Sequence, residues 1–402
     1  GVAVHITEDE RDEQVHTPVV IGPNHDIDPN DVLPTFDNLL MEAMAGFLRR
    51  VDGRQILIPL SGGADSRLLL ALLHRLGANN VMTFTYGKAN AREPGISRDV
   101  AHALGYPWRF VELDAKRMYS QWHRPRTSQF LRDTWTGVAL PHIQDWYALT
   151  VLANDPDIAP DAVVTPGHTI VGKAHADWSI DPRIPIDTRA MTKILADHHL
   201  ALQGQSEYGM NVAYARDRIT SFLRRWWPNE DPELRRAIQV GYNLEERQAK
   251  YISNSVRAYE SFGFDWALPM YERPLWTYWL GVPLEFRDSA RTRYVHYAHT
   301  IHARAAGADV DYITGPANVL PQGPMNIVRT TLEKLHLKQR VDATYRALVE
   351  LHHPMGYEAL VGDLSRAALA ARLFGGTSII GVYCDLFLAN RWAPGDGIVP
   401  VP

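Results

Sequence analysis

Gln55-Ile56-Leu57-Ile58-Pro59-Leu60-Ser61-Gly62-Gly63-Ala64-Asp65-Ser66-Arg67-Leu68-Leu69-Leu70 is the stretch that decides how this chain folds. An apolar run one strand long stops at Ser61-Gly62-Gly63. A second run at Leu68, Leu69, Leu72, Leu73 and Leu76 keeps helical spacing until Gly77 ends it. A strand that enters a helix through small residues is a seat for an anion. Gly62 and Gly63 let backbone approach a ligand with no Cβ in the way, and the N–H groups of the first helical turn have no partner inside the helix. Ser61 and Ser66 bring hydroxyl donors to the same place.

Asp65 adds a negative charge to an anion site, which requires a cation between the two. Mg²⁺ suits that position because it is held by one or two carboxylates together with phosphate oxygens. The loop therefore predicts a magnesium nucleotide. The plain alternative for Asp65 is a carboxylate favoured by the dipole of a helix start. The loop is not the Gly-x-x-x-x-Gly-Lys-Ser/Thr form, nor Gly-x-Gly-x-x-Gly, nor the Gly-x-Ser-x-Gly elbow of hydrolases.

Ser-Gly-Gly-x-Asp-Ser resembles the pyrophosphate loop of the ATP pyrophosphatases, among them asparagine synthetase, β-lactam synthetase, GMP synthetase, NAD synthetase and the tRNA thiolating enzymes. The resemblance implies that ATP is cut between its α and β phosphates and that an acceptor is adenylated. It also implies that Ser61, Gly62, Gly63, Asp65 and Ser66 hold the departing pyrophosphate, with Asp65 on the metal.

Length and composition narrow the setting. A chain of 402 residues, 46% hydrophobic and 22% charged, has room for two or three structural units and a sizeable core. A net charge of −5 argues against electrostatic capture of nucleic acid, and so against the tRNA-modifying relatives. No apolar stretch is long enough for a membrane span, and the first residues lack the pattern of a signal peptide. Cys384 is the only cysteine, so no disulfide forms within the chain and a cytoplasmic location is expected. Glutamine-dependent asparagine synthetases start with a cysteine-bearing glutaminase. Here the chain starts at Gly1 and the loop strand begins at residue 55, so ammonia is expected free or from a separate glutaminase or pathway protein.

Residues 1–34 read as an arm or small ribbon, with β-branched runs at Val2–Ile6 and Pro18–Ile21. A helix from Phe36 to Val51 follows, then strand 55–60, helix 65–76, strand 80–86, helix 94–104 and strand 108–113. Such alternation predicts a doubly wound parallel sheet with helices on both sides, which binds ligands at the carboxyl ends of its strands; the resemblance to the ATP pyrophosphatases implies that it is of the adenine nucleotide α-hydrolase type. Helical patterns at 114–124, 129–138 and 142–153 precede one more buried strand at 161–165. We take 35–185 as the nucleotide-binding α/β domain. The remainder, 186–402, reads almost entirely as helix and is expected to complete the acceptor pocket and cover the core.

Beyond the loop, the chain is similar over most of residues 36–300 to a bacterial branch of the asparagine synthetase family associated with surface polysaccharide clusters. Thr83-Phe84-Thr85-Tyr86-Gly87, followed by Glu93-Pro94 and a helix from Ser97 to Leu104, matches the second strand and helix; there the family seats adenine against backbone, at Thr85, Tyr86 and Gly87. Leu140–Trp146, Ser255–Glu260 and Trp266–Glu272 also resemble segments of that branch. In the loop after the last strand, Thr165-Pro166-Gly167-His168-Thr169-Ile170-Val171-Gly172-Lys173, Gly167 is placed with the nucleotide contacts. Val171 stands where the family carries a second metal-binding aspartate. A valine binds no metal, so either Asp177 or Asp181 substitutes, or Asp65, phosphates and water suffice, or ATP chemistry is impaired. Arg291 and Arg293 lie where relatives carry a charge-neutralising lysine, and arginine offers a wider fork there.

Several residues keep two readings. Lys173 either neutralises pyrophosphate or is a solvated loop lysine. Arg67 is a phosphate clamp or an exposed helix arginine. His142 and Asp145, at i and i+3 on a helix face, orient an acceptor or move its proton, or simply cap a helix start. Glu246, with Arg247, either lines the acceptor pocket or belongs to a solvated face. His168 and His175 do not read as metal ligands, with no cysteine nearby and 17 histidines in the chain. The expected function is ATP- and Mg-dependent amide formation from a small-molecule carboxylate, such as a uronic or sugar-linked acid, and ammonia or an amine. The alternatives are an intramolecular cyclase of the β-lactam synthetase or lasso type, or a nucleotide-binding partner subunit without turnover.

Overall fold

The computed structural model describes residues 2–6, 11–15, 20–171, 186–200, 212–283, 286, 292–310, 338–394 and 398. The chain opens on an antiparallel hairpin, β1 (Val2–Ile6) against β2 (Arg11–Val15), with Val2 opposite Val15 and Ile6 opposite Arg11. The second strand is thus upstream of the expected Pro18–Ile21 run. Proline has no N–H for a ladder, and Val20 and Ile21 lie outside any strand. Helix α1 (Val32–Val51) starts at Val32 rather than Phe36, because Pro34 falls in the first turn, where no intrahelical N–H bond is required.

The alternating elements follow as β3 (Ile56–Pro59), α2 (Ala64–Arg75), β4 (Val81–Gly87), α3 (Glu93–Ala103) and β5 (Trp108–Glu112). Two short helices come next, α4 (Ala115–Trp122) and α5 (Pro125–Thr134). Helix α5 lies ahead of the expected 129–138 because Pro125 fits its first position, and the chain has turned by Gly137, whose φ is +79°. Helix α6 (Trp146–Leu152) begins at Trp146, not at residue 142.

Among the described residues the central sheet has five strands in the order β5-β4-β3-β6-β7, and every pairing is parallel. Only Val163–Val164 of the expected 161–165 strand forms β6. The outermost strand, β7 (Asp265–Trp266), lies in a region that the sequence reads as helix. It is two residues long and exposed, too short to show a period of two. From β3 the chain adds β4 and β5 on one side and later β6 and β7 on the other. This reversal places the switch point at the carboxyl end of β3, where Ser61 begins its turn.

Both faces of the sheet are covered. Ile56, Ile58 and Val163 point into one core with α1 and α2, while Leu57 and Val164 point into a second core with α6, following strand alternation. The later chain forms α7 (Thr188–His199), α8 (Val212–Trp226), α9 (Arg235–Asn243), α10 (Arg257–Glu260), α11 (Arg273–Gly281), α12 (Thr292–Tyr297), α13 (Lys338–Leu351), α14 (Arg366–Phe374) and α15 (Ile379–Leu388). Trp279 of α11 and Tyr294 of α12 join the first core; Leu369 of α14 and Tyr383 of α15 join the second. Among the described residues no single helix is long and apolar enough to cross a membrane.

A polar knot around the buried His302 ties α1 and α2 to the segment after α12. Arg75 Nη1 lies 2.6 Å from His302 Nδ1, so that nitrogen accepts and Nε2–H donates to Asp37 Oδ1 at 2.7 Å; the Tyr297 hydroxyl donates to the same oxygen at 2.5 Å. Burial keeps the His302 ring neutral by lowering its pKa, against the pull of Asp37.

Candidate nucleotide site

Strand β3 carries the chain to the sheet's carboxyl edge, where the Leu60 N–H still donates to the Phe84 carbonyl at 2.8 Å. Gly63 then caps α2 in extended conformation, φ −81° and ψ 170°, and as a glycine it offers no side-chain acceptor to the first-turn N–H groups. The helix below is anchored by Leu68, Leu69, Leu70, Leu72 and Leu73, all fully buried. At about 1.5–3 kcal/mol each, these side chains hold the turn against the sheet.

Ser61 and Ser66 close the turn on itself. The Ser61 N–H donates to Ser66 Oγ at 3.0 Å, the two hydroxyls lie 3.0 Å apart, and the Gly63 N–H donates to Ser61 Oγ at 3.2 Å. The Gly62 N–H points at a charge instead. It donates to Glu93 Oε1 at 3.0 Å, and Glu93 is the first residue of α3. A carboxylate oxygen thus sits on loop backbone, the kind of contact a phosphate oxygen would make.

The loop after β6 seals another side. A Cβ on Gly167 would lie 2.5 Å from Ser66 N and 2.9 Å from the Asp65 carbonyl carbon, so this backbone rests on the first turn of α2 with space only for hydrogen. The turn therefore brings together Ser61, Gly62, Gly63, Asp65, Ser66 and Gly167. Its donors match a magnesium nucleotide: backbone N–H and hydroxyl groups for phosphate oxygens, and a carboxylate for the cation. Among the described residues no three His, Cys, Asp or Glu side chains gather as a metal cage. Mg²⁺ requires none, because phosphates supply the remaining ligands.

Thr85 and Tyr86 are occupied as side chains. The Thr85 hydroxyl donates to the Leu60 carbonyl at 2.7 Å and accepts from Trp108 Nε1–H at 3.0 Å, bracing the root of the loop. The Tyr86 hydroxyl donates to Asp145. The Gly87 carbonyl accepts the Leu113 N–H at 2.8 Å. Any contact with a base from this strand is left to backbone.

Other expectations change. Val171 is 2% exposed and packs with Leu60, Ala64 and Ile170 in the first core, so its place is explained by apolar burial. Arg67 is 1% exposed, and its Nη1 donates to the Val310 carbonyl at 2.7 Å; it is not a solvated helix arginine. His142 and Asp145 do not share a helix face, since α6 starts after them. Pro141 lies just ahead, and the Trp146 N–H closes a turn onto the Ile143 carbonyl. The Asp145 carboxylate accepts from Tyr86 and, at 2.7 Å, from Tyr259 of α10.

Glu246 lies in a nine-residue π-helical segment, Leu244–Ile252, where it pairs with Lys250 and, at 3.4 Å, with Arg218. Glu246 and Arg218 border an open groove of about 370 Å³ that Tyr214, Phe222 and Trp226 also line. Arg293 is exposed, and its Nη1 donates to the Phe286 carbonyl at 3.2 Å. Lys173, Arg291, Asp177, Asp181 and His175 lie outside the described residues.

Two further residues belong to this region. Glu93 is the carboxylate on the loop. His168, beside Gly167, packs its ring 4.4 Å from that of Tyr271, and its Nε2 is buried without a partner. Burial lowers its pKa to about 4, against a hydrogen bond with Gln248 that favours the charged form.

A doubly wound parallel sheet whose central strand ends in a serine-glycine anion loop defines an α/β nucleotide-binding protein of the adenine nucleotide α-hydrolase type. The asparagine synthase family model matches residues 35–296, and the chain belongs to that family, a family of ATP-dependent amidotransferases and ligases. No curated protein matches it.

Proposed function

We propose that the protein is an ATP- and Mg-dependent ligase that joins a carboxylate substrate to ammonia or an amine. The substrate carboxylate attacks the α phosphate of ATP, pyrophosphate leaves, and the nitrogen nucleophile displaces AMP from the acyl adenylate. The observation that carries this reading is the Ser61–Ser66 turn. Its Gly62 N–H already holds an anionic oxygen at 3.0 Å, on a helix start that Gly167 seals.

Within that turn, Gly62 and the Ser61 and Ser66 hydroxyls would bind the β and γ phosphates and fix the leaving group in line. Asp65 would hold Mg²⁺, which when bound neutralises charge on the phosphates. His168 is neutral at pH 7. With a pKa of about 4 it is too weak to strip a proton from an ammonium ion, so the nitrogen nucleophile must arrive as the neutral amine. A uronic or sugar-linked acid as acceptor remains part of this proposal, from the resemblance alone.

The test is pyrophosphate release with Mg-ATP over a panel of carboxylates, with and without ammonium. Release that requires both a carboxylate and ammonium supports the ligase. Release on the carboxylate alone, with a product lighter by one water, identifies a cyclase. One observation favours a second reading, a nucleotide-binding partner subunit without turnover: position 171 is a buried valine and supplies no carboxylate to a metal. Mg-ATP binding with no pyrophosphate release on any substrate would support it.

A further inference from the structure

Glu93 is the carboxylate hydrogen-bonded to the loop, and its place there calls for a role. Its Oε1 accepts the Gly62 N–H at 3.0 Å, one of the backbone donors that a pyrophosphate oxygen would need. Asp65 lies in the first turn of α2, three residues on, so two carboxylates come from different elements to the same turn. The post-β6 loop contributes none from the position the family uses, because Val171 is in the core. A triphosphate cannot settle beside Asp65 and Glu93 unless a cation lies among them: unit charges about 4 Å apart repel by roughly 4 kcal/mol at a protein surface. Mg²⁺ accepts two carboxylates with phosphate and water in its octahedron.

We propose that Glu93 is the second carboxylate ligand of the nucleotide's divalent cation. It gives up Gly62 to the phosphate and turns to the metal, supplying from α3 what Val171 does not supply from the loop after β6. This rests on the nucleotide reading above. It adds that the metal is gripped from α2 and α3 together, through Asp65 and Glu93.

The experiment is calorimetric titration of the whole chain with inorganic pyrophosphate, with and without Mg²⁺, for wild type and Glu93→Gln. Glutamine keeps an oxygen for the Gly62 N–H and loses the charge. Affinity for magnesium pyrophosphate should fall at least about tenfold, the order found when metal-site support is removed. Affinity for metal-free pyrophosphate should stay or rise, because a repelling charge has gone. Glu93→Asp should recover part of the magnesium-dependent gain.

If both affinities are unchanged, Glu93 is only a helix-start carboxylate and the proposal is wrong. If both rise, Glu93 merely occupies the loop and the metal role is wrong. Failure of wild type to bind magnesium pyrophosphate would instead overturn the nucleotide reading itself, and this proposal with it. Unchanged circular dichroism and melting of the variants would show that the effect is not one of folding.

Discussion

Gly167 is constrained by contact. Its φ is not in the left-handed region, so glycine is not required for conformation; it is required because backbone atoms of Asp65 and Ser66 fill the space of a side chain. Those neighbours cannot yield as a flexible side chain would. Gly167→Ala should push the post-β6 loop off α2 and weaken ATP binding about tenfold or more, close to 1.4 kcal/mol. Titration with Mg-ATP checks this, and an unchanged affinity would mean that the two loops do not form one site. Single residues were legible in proportion to how local their chemistry is. Ser61, Gly62, Gly63 and Ser66 announce themselves by small size beside an apolar strand. Glu93 gave no such signal, because its partner Gly62 is 31 residues away. The exposed reading of Arg67 fails for the same reason, since burial depends on what packs above a side chain.

At the level of elements, β3, α2, β4, α3 and β5 were legible because each carries a full period of its pattern, whereas β6 and β7 are two residues long and carry none. The π-helical segment Leu244–Ile252 was equally hidden, because its spacing departs from 3.6. The start of α6 was missed because a tertiary contact governs it. Asp145 at that start is held by Tyr86 from β4 and Tyr259 from α10, joining three elements on one buried carboxylate. Tyr259→Phe removes one of two donors to a side chain that is 5% exposed, and should cost about 1–3 kcal/mol in urea unfolding. A loss below a few tenths would show that Tyr259 does not support the carboxylate.

Over the whole molecule, the sheet is buried on both faces by helices from the first and second halves of the chain, which composition and alternation anticipated; the pairing of particular later helices with particular faces was not readable. Burial also sets the response to acid. His168, His199 and His353 have their pKa values lowered to about 4, in each case mainly by burial. In the unfolded chain they take protons near pH 6.5. Between pH 6.5 and 4 the unfolded state therefore binds more protons, and stability must decline as pH falls through that window. Melting temperature should drop steadily from pH 6.5 to 4 and be flat against these groups above 7. A melting temperature constant over 6.5 to 4 would show that the three rings are not buried as neutral groups. The reading of the molecule as a magnesium-nucleotide ligase stands most directly on calorimetric binding of Mg-ATP to wild type and to Asp65→Ala. Saturable binding by wild type, lost or weakened about tenfold or more in the variant, is the expected result. No binding by wild type, or equal binding by both, would contradict it.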